Sequence, residues 1–375
     1  MQIHEMRTPF FLVDEKKLIQ NLELLKKLQD DTGCKILLAQ KAFSMFACYP
    51  LIGRYLAGTT ASGLYEARLG REALGGETHV YAPAYREDEF DALLMEADHI
   101  VFNSPSQIRQ FGNRAKAAGK SIGLRVNPEC STQEGHAIYD PCGRASRLGT
   151  VRSRMDESLL PLLDGLHFHT LCEQNSDALA VTAHAFEDKF GSFLAGMKWL
   201  NMGGGHHITR EDYDLATLKR VICHFQDTYG VQVYLEPGEA VVLNAGYLVS
   251  SVLELVQNDM QIAILDTSAA CHMPDVLEMP YRPPVQGAGA PDEKAYTYRL
   301  AGPTCLAGDV IGDYSFDRPL ERGSRIILED MALYTMVKTN TFNGMRLPDL
   351  AILEQTGNIR MIKTFGYEDF KCRLS

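Results

Sequence analysis

Apolar residues in the first two-thirds of this chain come in short, nearly uninterrupted runs, each closed by a polar or glycine residue and followed by a longer stretch with helical spacing. Eight such runs read as strands: 35–39 (KILLA), 58–61 (GTTA), 78–82 (THVYA), 99–103 (HIVFN), 121–127 (SIGLRVN), 165–171 (GLHFHTL), 197–203 (MKWLNMG) and 231–237 (VQVYLEP). Helices fill most of the gaps. After the fourth run, Ser104 is placed to cap a helix and Pro105 suits its first position; Ser62 and Glu66 mark another start. Strands apolar on both faces, alternating with helices eight times, predict a (β/α)8 TIM-like barrel rather than an open doubly wound sheet. The rhythm breaks at 128–164, a long Gly-, Pro- and Ser-containing connection that leads into one helix.

Beyond Pro237 the pattern changes. EAVVLNAGYLVSSVLELV, QIAILDTS, AYTYRLAG and SRIILEDM read as strands with turns between them. The expected organisation is a barrel over 14–240 and a β-rich domain over 241–375, with 1–13 (through TPFFLV) adding a strand to the second domain.

Composition narrows the function. Hydrophobic residues make up 45% and charged residues 23% of the 375, as in ordinary globular proteins, and no apolar run is long enough to span a bilayer. The N-terminal segment lacks the features of a secretory signal, so a cytoplasmic location is expected. Nine cysteines without a CxxC pair point to reduced thiols rather than a disulfide framework. A net charge of −11 without a basic cluster argues against nucleic acid and is compatible with a cationic ligand.

Barrel chemistry sits at the carboxyl ends of the strands. There the sequence places Lys41, Arg125, His167 and His169, the run Gly203, Gly204 and Gly205, and Glu236 followed by Pro237 and Gly238. Singly each has a bland explanation: a solvated strand end, a tight turn, packed core histidines. Together, a lysine for a Schiff base, glycines for a phosphate, an imidazole for a ring face and a carboxylate for a pyridine nitrogen are the parts that hold pyridoxal phosphate. An HxH metal pair, His167 with His169, in a metal-dependent barrel hydrolase is the alternative from another mechanistic class.

The motifs LLAQKA, LRVNP, HFHTLCE, NMGGG, EPGEAVV, GPTCLAGD and EDMALYTMVKTNTFNG, in this order, resemble those of the pyridoxal phosphate decarboxylases of the alanine racemase-like fold, the group of ornithine and diaminopimelate decarboxylases. Within that group the likeness is strongest to the branch acting on carboxylated polyamines. The resemblance implies that Lys41 is the Schiff-base lysine, His169 stacks on the cofactor ring, Gly204, Gly205 and Gly238 contact the cofactor, Glu236 meets the pyridine nitrogen, and Tyr334 reaches the phosphate. It also implies an obligate homodimer in which Cys305 and Asp309 complete the opposite subunit's site; Cys305 or Lys41 is expected to return a proton to the product. Relatives carry an arginine after EPG where this chain has Glu239, and an acidic residue where it has Leu306. A glutamate repels an anion and attracts an ammonium, so Glu239, with Asp275, is expected to bind a polyamine carrying more than one positive charge. Cys172 replaces a serine that contacts the phosphate in relatives. A diaminopimelate decarboxylase, or one for another basic amino acid, is the nearest enzymatic alternative.

Overall fold

A computed structural model of the chain describes residues 3–133 and 140–375. It divides into two compact units, Asn21–Val241 and Met1–Gln20 with Val242–Ser375. The first strand, β1 (Phe10–Asp14), belongs to the second of these.

Eight parallel strands close the first unit into a barrel: β2 (Lys35–Ala39), β3 (Gly58–Ala61), β4 (Glu77–Tyr81), β5 (His99–Phe102), β6 (Ser121–Asn127), β8 (Gly165–His167), β9 (Trp199–Asn201) and β10 (Gln232–Leu235), with β10 returning to β2. A two-residue strand, β7 (Thr150–Val151), pairs with β6 outside the ring. Each ring strand coincides with one of the eight apolar runs, although the runs at 165–171, 197–203 and 231–237 are trimmed because their last residues leave the ladder to line the mouth. Ser104 caps the helix Pro105–Ala117 by accepting from the Gln107 N–H at 3.4 Å. The other predicted start is shifted. Gly63, not Ser62, flanks the helix Leu64–Ala73, and the Glu66 carboxylate instead accepts from the Ser62 N–H at 2.6 Å. The connection at 128–164 lies partly outside the described residues. Its later part holds 3-10 turns at Arg152–Arg154 and Glu157–Leu162 rather than a helix, because Pro161 lacks the N–H that an α-helix needs there.

The barrel floor is filled by Trp199. Its ring lies where a Cβ at Gly123 or Gly165 would sit, so those two strands need glycine, and its Nε1–H donates to Ser121 Oγ at 2.9 Å. Around it Glu77, His79, His99 and Tyr234 form a closed polar cluster with Lys35.

In the other unit, β1 pairs with β11 (Gly246–Asn258) and β16 (Asp349–Leu353), in a sheet ordered β14-β13-β12-β11-β1-β16-β17, with β15 also on β11. The remaining strands are β12 (Met260–Leu265), β13 (Tyr296–Ala301), β14 (Val310–Phe316), β15 (Arg325–Glu329) and β17 (Ile359–Lys363). FFLV is apolar throughout because β1 is buried on both faces: Phe11 joins one core cluster, Phe10 and Leu12 another. One strand reading fails at its start. Glu239–Val242 is a short helix, and since Ala240, Val241 and Val242 are all buried, no alternation distinguishes it from a strand.

Candidate active site

Gln40, at the end of β2, is wholly buried and tied on three sides. Its N–H donates to Thr60 O at 3.2 Å, its side-chain amide donates to Glu66 O at 2.8 Å, and Tyr49 Oη donates to its Oε1 at 3.2 Å. That anchor turns the next side chain, Lys41, into a cavity at the barrel mouth. The cavity is also lined by Tyr81, Arg125, His167, His169, Gly204 and Glu236. Protein surrounds the Lys41 amine, yet the side chain stays reachable through the cavity. Loss of solvation, then the Arg125 guanidinium, lower its pKa. A lysine with a lowered pKa has more of the neutral amine that attacks a carbonyl.

His169 follows β8. Its Nδ1 accepts the Gly204 N–H at 2.9 Å, and burial, Lys41 and Arg125 hold its pKa well below the usual range, so it presents a neutral ring. Gly203 and Gly205 take left-handed φ values of 69° and 80°, and a Cβ on Gly204 would strike the Glu236 carbonyl oxygen. Only glycine fits this cradle, in which the backbone approaches a ligand without a side chain between.

Glu236 follows β10 and is fixed by Gly203 O, which accepts its N–H at 2.7 Å. One carboxylate oxygen, Oε1, accepts from Asn201 Nδ2 at 2.7 Å, and Oε2 lies 3.2 Å from His167 Nε2. Burial works against the charge, but His167, His79 and Asn201 outweigh it and hold the carboxyl below its ordinary range. Arg125, 5% exposed, lies 4.6 Å from the Tyr81 ring centre, and its Nη2 donates to His169 O at 3.3 Å.

The pocket thus gathers Lys41, His169, Gly204 and Glu236, as expected. Gly205 packs against Leu171 O, and Gly238 lies against Ala42 and Ala39, where a Cβ would meet the Ala42 methyl carbon at 2.5 Å. Glu239 opens the short helix after Gly238 and is not a bare carboxylate: its Oε2 lies 2.6 Å from His207 Nε2. Burial lowers the His207 pKa, but Glu239, aided by Glu173, outweighs it and raises it overall. Asn201, His207 and Tyr81 escaped the sequence reading. Asn201 stands two residues before the glycine run and His207 two after it, the one signal that could have found them.

The other predicted residues belong to the second unit. Asp275 pairs with Lys338, which also meets Glu278. Cys305 is exposed, and its sulfur accepts from Asn343 Nδ2 at 3.8 Å, which joins the GPTCLAGD and TFNG motifs. Asp309 is buried and accepts from Ser268 Oγ at 3.0 Å and Thr304 Oγ1 at 2.7 Å, so here it organises the loop that carries Cys305. Tyr334 adopts a left-handed φ of 51°. Arg282, without an expected role, lies over Tyr314 and donates to Asp313 O at 2.7 Å.

The metal alternative fails on geometry. His167 faces Glu236 while His169 binds Gly204, and they share no ligand-type third partner. Among the described residues, the one group of three such side chains close enough to share an ion is Glu77, His79 and His99. These begin or lie early in β4 and β5, at the opposite end of the strands, where Lys35 already neutralises Glu77.

A closed parallel barrel with a cavity-lining lysine, a glycine cradle and an ionised carboxylate at its mouth defines a site for pyridoxal phosphate. The profile of the family "Pyridoxal-dependent decarboxylase, C-terminal sheet domain" matches residues 10–332. The chain belongs to the pyridoxal-dependent decarboxylases. It is 44% identical over 384 residues to a carboxynorspermidine/carboxyspermidine decarboxylase of Campylobacter jejuni, covering 100% of both chains. It is 42% identical over 375 residues to a carboxyaminopropylagmatine decarboxylase of Synechocystis, covering 100% of this chain and 97% of that one. The crystal structure of carboxynorspermidine decarboxylase from Campylobacter jejuni complexed with norspermidine superposes with a TM-score of 0.92 at 43% identity, covering 98% of this chain and 100% of that one.

Proposed function

We propose that this protein removes the carboxylate of carboxynorspermidine or carboxyspermidine as CO2, giving norspermidine or spermidine in polyamine biosynthesis. The observation that carries the reading is the end-to-end likeness, at 44% identity, to a decarboxylase of that name, together with the Lys41 pocket common to its class. Bound in the pocket, pyridoxal phosphate supplies an electron sink for the pair left on the α-carbon when CO2 departs. Lys41, with its lowered pKa, would hold the cofactor covalently between turnovers. The ionised Glu236 would keep a proton on the pyridine nitrogen, the neutral ring of His169 would support the cofactor face, and the Gly203–Gly205 cradle would take the phosphate. Tyr334, Gly205 and Gly238 are further cofactor contacts in this proposal, and Cys305 or Lys41 returns a proton to the α-carbon.

Glu239 and Asp275 are the carboxylates assigned to the substrate's ammonium groups. Each already meets a cation, His207 or Lys338, which a polyamine ammonium replaces or joins. Glu239→Gln therefore raises KM for the carboxylated triamine about tenfold, while cofactor content is retained; an unchanged KM contradicts the assignment. A homodimer in the cytoplasm completes the proposal. The described residues contain no helix long and apolar enough to cross a membrane, and sedimentation of the holoenzyme tests the dimer.

The 42% identity to a carboxyaminopropylagmatine decarboxylase favours one second reading, a substrate ending in a guanidinium. Release of CO2 measured in parallel from carboxynorspermidine, carboxyspermidine, carboxyaminopropylagmatine and diaminopimelate separates these. The first two are expected to exceed diaminopimelate in kcat/KM by about a hundredfold or more, and to differ from each other by less, since one methylene is worth only about 1–3 kcal/mol. Preferential turnover of either of the other two overturns the proposal.

A further inference from the structure

Glu236 is held by two donors, and the histidine is an unusual one. His167 is 1% exposed, and its Nδ1 is buried with no hydrogen-bond partner, so only Nε2, which faces Glu236 Oε2 at 3.2 Å, has a polar neighbour. Behind it stacks Tyr81, ring centres 5.6 Å apart and planes within 16°, itself fixed by its Oη donating to Asn103 Oδ1 at 2.7 Å and covered by Arg125 at 4.6 Å. A neutral imidazole has one N–H, and the only place where it meets an acceptor is Nε2. The charged groups facing the ring are Glu236, Arg125 and Lys41; burial, with Arg125 and Lys41, opposes a second proton and outweighs Glu236, which favours it.

We propose that His167 is a positioning residue: a neutral imidazole confined to its Nε2–H tautomer, which donates to Glu236 and keeps that carboxylate ionised and aimed at the pyridine nitrogen of the cofactor. This rests on pyridoxal phosphate lying with its ring nitrogen against Glu236. Asn201 is the second anchor. Its Nδ2 donates to Glu236 Oε1 while its Oδ1 accepts the Gly203 N–H at 2.8 Å, so one side chain ties the carboxylate to the phosphate cradle. An imidazolium at position 167 would neutralise Glu236 and weaken its hold on the pyridine proton. A neutral donor leaves the full negative charge for the cofactor.

The test uses holoenzyme and two variants: His167→Gln, which keeps an N–H donor, and His167→Leu, which keeps bulk without one. For each, the visible absorbance of bound cofactor is titrated with pH, and its release into a trapping solution is timed. In His167→Leu, release is expected to quicken about ten- to a hundredfold and the spectral transition to move by about one pH unit, with both largely restored in His167→Gln. Wild-type behaviour in His167→Leu, or equal impairment in both variants, overturns the role. Should His167→Leu not fold, nitrogen-15 NMR of histidine-labelled wild-type holoenzyme decides. A neutral Nε2–H ring from about pH 6 to 9 supports the proposal; an imidazolium or an Nδ1–H tautomer overturns it. A wild-type protein that binds no cofactor strikes at the site reading instead, so the two failures are distinguishable.

Discussion

Both ends of the barrel set a glutamate beside a histidine at the same spacing, but the glutamate at the mouth lines a cavity that it shares with a lysine. At the floor, Glu77 lies 3.2 Å from His79 Nε2, accepts from Tyr234 Oη at 2.8 Å and is ion-paired with Lys35. At the mouth, Glu236 has the same 3.2 Å contact with His167, but its other protein donor is the uncharged Asn201 amide, and two basic side chains, Lys41 and Arg125, share the pocket with it. The floor has a lysine bonded to its carboxylate and a tryptophan filling the space above the glycines. At the mouth Lys41 lines the cavity and, among the described residues, forms no ion pair. The same residue types therefore give a structural plug when the ion pair closes on itself, and a reactive site when the lysine is withheld from the carboxylate.

The sharpest way to break this contrast is to remove each lysine. Lys41→Ala is expected to abolish covalent cofactor binding and lower decarboxylation by at least about 10⁴-fold, whereas Lys35→Ala leaves turnover near wild type. Comparable losses in the two variants would erase the distinction. The carboxylates come next. Glu236→Gln should reduce kcat by about 10²–10³-fold with little change in folding stability. Glu77→Gln should cost about 2 kcal/mol in urea unfolding and leave kcat unaltered. A stability loss confined to the mouth, or a rate loss at the floor, contradicts the assignment.

The smallest effect concerns acid. Burial, and then its neighbour His79, push the His99 pKa at the floor down to about 3. The unfolded chain takes up that proton as pH falls below about 6.5, while the folded chain stays unprotonated there until about 3. Stability is therefore full above about pH 6.5 and declines as pH drops, by up to about 1.4 kcal/mol per pH unit for this one group. His99→Gln should make urea-unfolding free energies measured between about pH 7 and 5 less steep by that amount. An unchanged slope would show that His99 is protonated in the folded barrel.

How much of this could be seen in advance depended on periodicity. The barrel was legible because eight strands repeat one pattern, and Lys41, His169, Gly204 and Glu236 were legible because each ends a unit of that repeat. The second unit was less so. Strands β14 and β17 are partly exposed, β16 is a short run opened by an aspartate, and the buried helix at 239–242 carries no alternation to separate it from the strand that follows. Within the site, what escaped were contacts between strands distant in sequence. Asn201 is 35 residues from Glu236, His167 is 69, and Tyr81 reaches His167 across the barrel, so none leaves a local signature. The pairing of Glu239 with His207 was hidden for the same reason, and it changes the picture of a bare carboxylate awaiting an ammonium. Asp309 sits in a specific motif, and within the chain its buried hydrogen bonds organise the loop that carries Cys305, which the motif alone did not reveal.

Lys41, the lysine withheld from its carboxylate, is expected to be the one that carries the cofactor. Holoenzyme reduced with borohydride and digested should yield one labelled peptide, with the pyridoxyl group on Lys41. A label on Lys35 or on any other lysine, or no label at all from enzyme saturated with pyridoxal phosphate, would contradict it.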